Sequence, residues 1–237
     1  MPRTLLSPPE SPSTAPGDPQ PAVPRGSLML ALAVGALLVP LLLGLVIRGD
    51  VRRPPFQGLD DTWLRWMGGP HDGVPQALAS GLNWFGGPNG ALVTLGLLVL
   101  LLVLRRWRAA LFLLVTVLAT QVAVQGLKHL VDRPRPAHPL VQVDHGSFPS
   151  GHAATMAMTV VVLIALFGPA AGASRRWWWG VGLVLTLGMM WSRTWLQAHW
   201  LSDTVVGALT GGGVACLVWW VGLRLGGAPR SGQARLR

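Results

Sequence analysis

Apolar residues along this 237-residue chain gather into six long runs, roughly 27–47, 87–104, 109–127, 150–167, 177–191 and 201–225. A helix needs about 20 mostly apolar residues to cross a bilayer, and these runs approach or reach that length. The fourth and fifth are the shortest and reach it only when flanking polar residues join the helix. The pattern predicts an all-α, polytopic membrane protein built as a bundle of six transmembrane helices. Between the first two runs, "LDDTWLRWM" sets Leu59, Trp63, Trp66 and Met67 at near-helical spacing. Tryptophan favours the membrane interface, so a short interfacial helix is expected in this first outer loop. Residues 1–26 are rich in proline and small polar residues and have no apolar core of the signal-peptide kind. They read as a disordered cytoplasmic tail, with residues 27–226 as the six-span domain and 227–237 as a basic cytoplasmic tail.

Composition agrees with a bilayer setting: 51% of residues are hydrophobic and only 12% charged. The net charge of +10 does not imply a nucleic-acid partner, because the arginines punctuate the apolar runs instead of forming one polar domain. Arg105, Arg106 and Arg108 separate the second and third runs, Arg175 and Arg176 the fourth and fifth, and Arg224, Arg230, Arg235 and Arg237 follow the sixth. The positive-inside rule makes these segments cytoplasmic, and six spans then leave both termini inside. Arg48, Arg52 and Arg53 oppose that orientation on the far side of the first run. Cys216 is the only cysteine, so no disulfide framework exists.

Under this topology three polar stretches open on the outer side: "KHLVDRPRP" after the third run, "PSGH" before the fourth, and "SRTWLQAHWLSD" between the fifth and sixth. Lys128 is the only lysine among 19 basic residues. Gln121 and Gln125 precede it by seven and three positions, on the same helical face, and polar groups in a membrane helix usually face the bundle interior or a wet cavity. His199 and Asp203, four apart, are expected on one face of the helix entering the sixth run, where a carboxylate can fix the imidazole tautomer. A His/Asp pair also suits zinc, but Lys128, Arg133, Arg135 and Arg193 would crowd a cation. A phosphate fits better, since arginine and lysine bind its oxygens and a helix start at Ser150 and Gly151 offers free amides to an anion. Ser150 is also suited to cap that helix.

The same residues carry a family likeness. Lys128, six residues, then Arg135-Pro136; Pro149-Ser150-Gly151-His152; and Ser192-Arg193, five residues, His199, three residues, Asp203 occur in that order. Together they resemble the three signatures of the type 2 phosphatidic acid phosphatase superfamily. The likeness spans residues 128–203 and is looser over the earlier runs. It implies that His199 is the nucleophile, that Asp203 orients it, and that His152 protonates the leaving oxygen and later activates water. It implies a phosphate-binding role for Lys128, Arg135, Ser150, Gly151 and Arg193, with no metal and no cofactor. Within "RPRP" only the family spacing selects Arg135 over Arg133. The implied substrate is a lipid phosphate or pyrophosphate, such as a polyprenyl pyrophosphate, phosphatidic acid or phosphatidylglycerol phosphate, hydrolysed at the outer membrane face. Transfer of the phosphoryl group to an acceptor other than water, or a lipid-binding protein without turnover, are the alternatives. A haloperoxidase is disfavoured by the spans.

Overall fold

The computed structural model describes residues 25–169 and 172–225; the two predicted tails fall almost wholly outside these residues. The described chain is eight α-helices: α1 (Arg25–Gly49), α2 (Gln57–Trp66), α3 (Gly73–Gly86), α4 (Pro88–Val103), α5 (Trp107–Val131), α6 (Gly151–Phe167), α7 (Ala173–Trp195) and α8 (Leu201–Arg224). Each predicted run is therefore a helix. Among the described residues, α1, α5 and α8 are each long and apolar enough to cross a bilayer. The α3–α4 pair, bent by 47° at the Gly86–Pro88 break, adds a fourth candidate if it counts as one span. α6 is apolar but only 17 residues long. α7 has the length, but three arginines and five tryptophans make it less apolar than α1, α5 and α8.

The outward faces of these helices carry the side chains a bilayer would solvate. Leu32, Leu42 and Leu45 of α1, Leu92 and Val99 of α4, and Leu111 and Val122 of α5 are all exposed. A helix apolar on every side has no need of an amphipathic stripe when its surroundings are hydrocarbon. What then holds the helices together is close packing through small residues. α6 lies so tightly on α8 that a Cβ at Gly207 would collide with the Ser150 carbonyl, and one at Gly211 with that of Ala154. α1 crosses the other side of α8 at Gly213, against Ala33 and Ala36. One buried apolar cluster joins α4, α5, α6 and α8 through Leu101, Leu113, Met158, Val162 and Ala215. Another, with Ile47, Val131, Phe148 and Val206, seals the opposite end of the bundle beneath the polar loops.

Two features differ from the sequence reading. α3 was not expected as a helix; it lies along α7, where the Ser192 hydroxyl donates to the Ala79 carbonyl (2.6 Å) and the Trp195 indole to Gln76 (3.1 Å). His199 and Asp203 do not share a helical face, because α8 begins at Leu201 and His199 sits on the preceding turn. Asp203 is the third residue of α8, and its Oδ2 accepts the backbone N–H of Trp200 (3.0 Å), satisfying a donor at the helix start.

Candidate active site

The end of α5, the start of α6, the end of α7 and the start of α8 meet at one pole of the bundle, with the 132–150 loop laid across them. The turns carrying Arg105, Arg106 and Arg108, and Arg175 and Arg176, lie at the other ends of α5 and α7. Lys128, in the last turn of α5, is 2% exposed and donates to the Gly146 carbonyl (2.8 Å), with the His145 carbonyl and Asp144 Oδ1 both at 3.3 Å. α5 then stops at Asp132, whose left-handed backbone (φ 44°) turns the chain into the Arg133–Pro136 segment.

That segment sends its two arginines to different places. Arg133 is fully buried: Nη1 donates to Asp203 Oδ1 and Ser202 Oγ (both 2.8 Å), and Nη2 to Asp60 Oδ2 (2.9 Å) and Gln57 Oε1 (2.6 Å). Arg135 faces the open side. Its Nη1 donates to the Ala198 carbonyl (2.6 Å) and lies 3.1 Å from His199 Nε2, its Nε donates to the Asp144 carbonyl (3.0 Å), and Nη2 pairs closely with the Asp144 carboxylate.

His199, 2% exposed, is held from its other edge. Nδ1 lies 2.7 Å from the Ser147 carbonyl, which can only accept, so Nδ1 carries the proton and Nε2 presents a lone pair toward Arg135. Asp203 Oδ2 stands 3.7 Å from Nδ1, outside hydrogen-bond range. The direct hold on the ring is thus a backbone carbonyl, and the carboxylate acts on it only across space. Burial pushes the His199 pKa well below the usual imidazole value of 6.5, and the charges of Arg193, Arg135 and Lys128 push it the same way. The ring is therefore neutral at neutral pH. Burial also lowers the pKa of Arg135, against the pull of Asp144. Partial burial would raise Asp144, but Lys128 and Arg135 outweigh it and hold this carboxyl below its usual range.

Ser150 is the N-cap of α6, yet its hydroxyl makes no capping bond; the buried Oγ has no hydrogen-bond partner, and its own N–H donates to the Asp203 carbonyl (3.0 Å). The capping role expected of this side chain is not filled, which leaves its hydroxyl available to a ligand. Gly151 opens α6, and a Cβ there would meet only Val124 at 3.8 Å, so packing alone does not require glycine. His152 packs against the α3–α4 break, where a Cβ at Gly86 would lie 2.5 Å from its ring and one at Gly87 3.5 Å from Nε2. Arg193, in the last turn of α7, is 2% exposed; it pairs with Asn83 of α3 and keeps a buried Nε without a partner.

The eight predicted residues therefore fall at one pole of the bundle. Four more belong there that the sequence reading did not single out: Asp60, Asn83, Asp144 and Ser147. Asp144 had a signal, being the one carboxylate between the basic and Pro-Ser-Gly-His stretches. Asn83 and the Ser147 carbonyl had none. Below His152 a cavity of about 530 Å³ runs between α4, α5 and α6, walled by Gly86, Gly87, Leu98, Gln121, Gln125 and Thr155. Gln121 and Gln125 line this open recess but are themselves exposed, so of the three polar residues on that face of α5 only Lys128 is buried in the bundle. Chemically, the pole offers an uncharged imidazole nitrogen, a second imidazole, three cations and an unpaired hydroxyl beside a largely apolar recess. That set suits a tetrahedral anion with an apolar tail. Among the described residues no group of three or more His, Cys, Asp or Glu side chains could hold a metal.

Comparison with known proteins gives two matches. Residues 109–226 match the PAP2 superfamily. In three dimensions the chain is similar to a transmembrane PAP2-type phosphatidylglycerolphosphate phosphatase from Bacillus subtilis, with a TM-score of 0.66 and 22% identity over 86% of this chain and 98% of that one. No curated protein matches the chain in sequence.

Proposed function

Because residues 109–226 belong to the PAP2 superfamily, we propose that this multi-pass membrane protein hydrolyses a lipid phosphate or pyrophosphate through a phosphohistidine on His199. The observation that carries the reading is the orientation of that ring: its proton is committed to the Ser147 carbonyl and its free Nε2 is aimed at Arg135. In the proposed reaction Nε2 attacks phosphorus as the bond to the lipid oxygen breaks, and His152, which takes up a proton as the anionic headgroup enters beside it, gives that proton to the oxygen. Water, deprotonated by His152, then attacks the phosphohistidine, releasing inorganic phosphate and restoring the imidazole. Arg135 turns from Nε2 to a phosphoryl oxygen as the substrate enters. With Lys128, Arg193, the Ser150 hydroxyl and the Gly151 amide it offsets the charge of the transition state. Asp203 favours the reactive tautomer and the positive charge that develops on the ring.

These cations supply the neutralisation that a metal gives elsewhere, so turnover is expected to survive EDTA. The cavity beneath His152 supports a substrate whose tail stays among the helices while its headgroup enters the basic pole; phosphatidic acid, phosphatidylglycerol phosphate and polyprenyl pyrophosphates share that design. The proposed topology has six spans and an interfacial α2; assigning the arginine-rich turns to the inner side then puts both termini in the cytoplasm and the site outside it. The test is acid-quenched labelling with a substrate carrying radioactive phosphorus. Label on a histidine of the native protein, absent from His199→Ala, is expected; label persisting in that variant rules His199 out as the nucleophile.

A further inference from the structure

α2 carries none of the signature residues, yet it is bonded to the segment that bears His199. Asp60, on its inner face, is 1% exposed. Its Oδ1 accepts the Ser202 N–H (2.9 Å), and its Oδ2 accepts both the Ser202 hydroxyl (2.6 Å) and Arg133 Nη2 (2.9 Å). The other arm of Arg133 holds Asp203 Oδ1. The guanidinium also lies 5.8 Å from the Phe56 ring centroid, just before α2, and 5.3 Å from that of Trp200, next to His199. Residues 199–203 are thus fixed from the side away from the open pole by one buried cation between two buried carboxylates.

A surface helix could be attached to the bundle by apolar contact alone, and burying three charges for that purpose is unfavourable. The arrangement makes sense if the charges set something nearby. Two carboxylates and one guanidinium leave one net negative charge, and Asp203 brings it to 3.7 Å from His199 Nδ1. We infer that Asp60 is a positioning residue: through Arg133 and Ser202 it fixes where the Asp203 carboxylate stands relative to His199, and so the negative charge that supports, across space, the Nδ1–H form held directly by the Ser147 carbonyl. This inference rests on the phosphohistidine reading for its kinetic consequences but not for its geometric ones. It also gives Arg133 a role distinct from that of Arg135, acting behind the ring and not on the phosphate.

Asp60→Asn keeps the shape while removing the second negative charge and turning one of the two accepting oxygens into an NH2 that faces a donor. With phosphatidic acid in detergent micelles, kcat is expected to fall about 10- to 100-fold, the scale on which misplacement of a reacting group acts. KM, and competitive inhibition by inorganic phosphate, should stay near wild type, because Lys128, Arg135 and Arg193 are not held by Asp60. Asp60→Asn/Asp203→Asn should be no slower than Asp203→Asn alone, since both act through one carboxylate. Ser202→Ala, which removes only the bridging hydroxyl, should show a weaker form of the same pattern, and Arg65→Gln on the exposed side of α2 none of it. In parallel, nitrogen NMR of histidine-labelled protein reads the His199 tautomer directly; there are six histidines, and His199→Gln identifies its signal. A changed His199 signal in Asp60→Asn is expected. If wild type shows no turnover yet that signal changes, the hydrolase reading fails and the positioning role stands. An unchanged His199 signal with unchanged kcat overturns the role. So does a loss of kcat that is additive with Asp203→Asn and tracks a collapse in melting temperature.

Discussion

His199 Nε2 and Arg135 Nη1 lie 3.1 Å apart, on the opposite edge of the ring from the Ser147 carbonyl that holds Nδ1. An arginine cannot accept a proton here, so its approach marks Nε2 as the edge with the lone pair. The same guanidinium reaches the Asp144 carboxylate, whose second cationic neighbour is Lys128. Two of the proposed phosphate ligands thus already share an anion.

Arg135→Ala should lower kcat/KM on the order of 100-fold or more, the usual cost of removing a donor to transition-state charge. Arg135→Lys should recover only part of it, because a lysine lacks the planar fork. Arg133→Ala is expected to act differently: it leaves Asp60 and Asp203 buried without their cation, so the melting temperature should fall together with activity. Parallel kinetic and thermal measurements separate the two, and identical profiles would remove the distinction.

The pH response follows from the lowered pKa of His199. The neutral ring is the attacking form, so protonation of His199 should cut kcat only well below pH 6.5. Its contribution to stability has the same sign. Between 6.5 and the folded pKa the unfolded chain binds a proton that the folded ring refuses, so the contribution is complete above 6.5 and declines as pH falls through that window. Melting temperatures from pH 7.5 to 5 should drop for wild type and less for His199→Gln. An equal drop in both would assign the acid sensitivity elsewhere.

Helix packing allows a cleaner contrast. Gly211→Ala would push a Cβ into the Ala154 carbonyl and should destabilise by about 1–3 kcal/mol, as overpacking does. Because α6 carries Ser150 and His152, activity should fall with it. Gly222→Ala, in the same helix with nothing within 4 Å of the new Cβ, should be neutral or slightly stabilising. Thermal shifts in detergent distinguish them, and equal values would argue against the close α6–α8 contact.

Orientation is tested with a cysteine at Gln142, an exposed loop residue beside the site, in a Cys216→Ala background. An impermeant thiol reagent should label it in intact cells. Labelling that appears only after lysis would place the site on the inner side.

The local pattern of the chain was enough to establish six apolar helices, the short α2 and the set of basic, histidine and serine residues at one pole. Run length and signature spacing are properties of contiguous sequence, and a bilayer makes every apolar run of that length a helix because its backbone groups have no other partner. Partner choice between distant segments was not legible. Nothing in "RPRP" says that Arg133 will close on Asp60, 73 residues away, while Arg135 turns to His199. Nor does the His199–Asp203 spacing reveal that the turn before α8 brings the Ser147 carbonyl, not the carboxylate, onto Nδ1. α3 escaped because it lies before a glycine-proline break that sets it apart from the apolar run of α4; contacts with α7, such as that of Asn83 with Arg193, make it part of the site. Most buried polar groups find their partners wherever the packed helices bring them, so these pairings exist only once α2, α5, α7 and α8 have met.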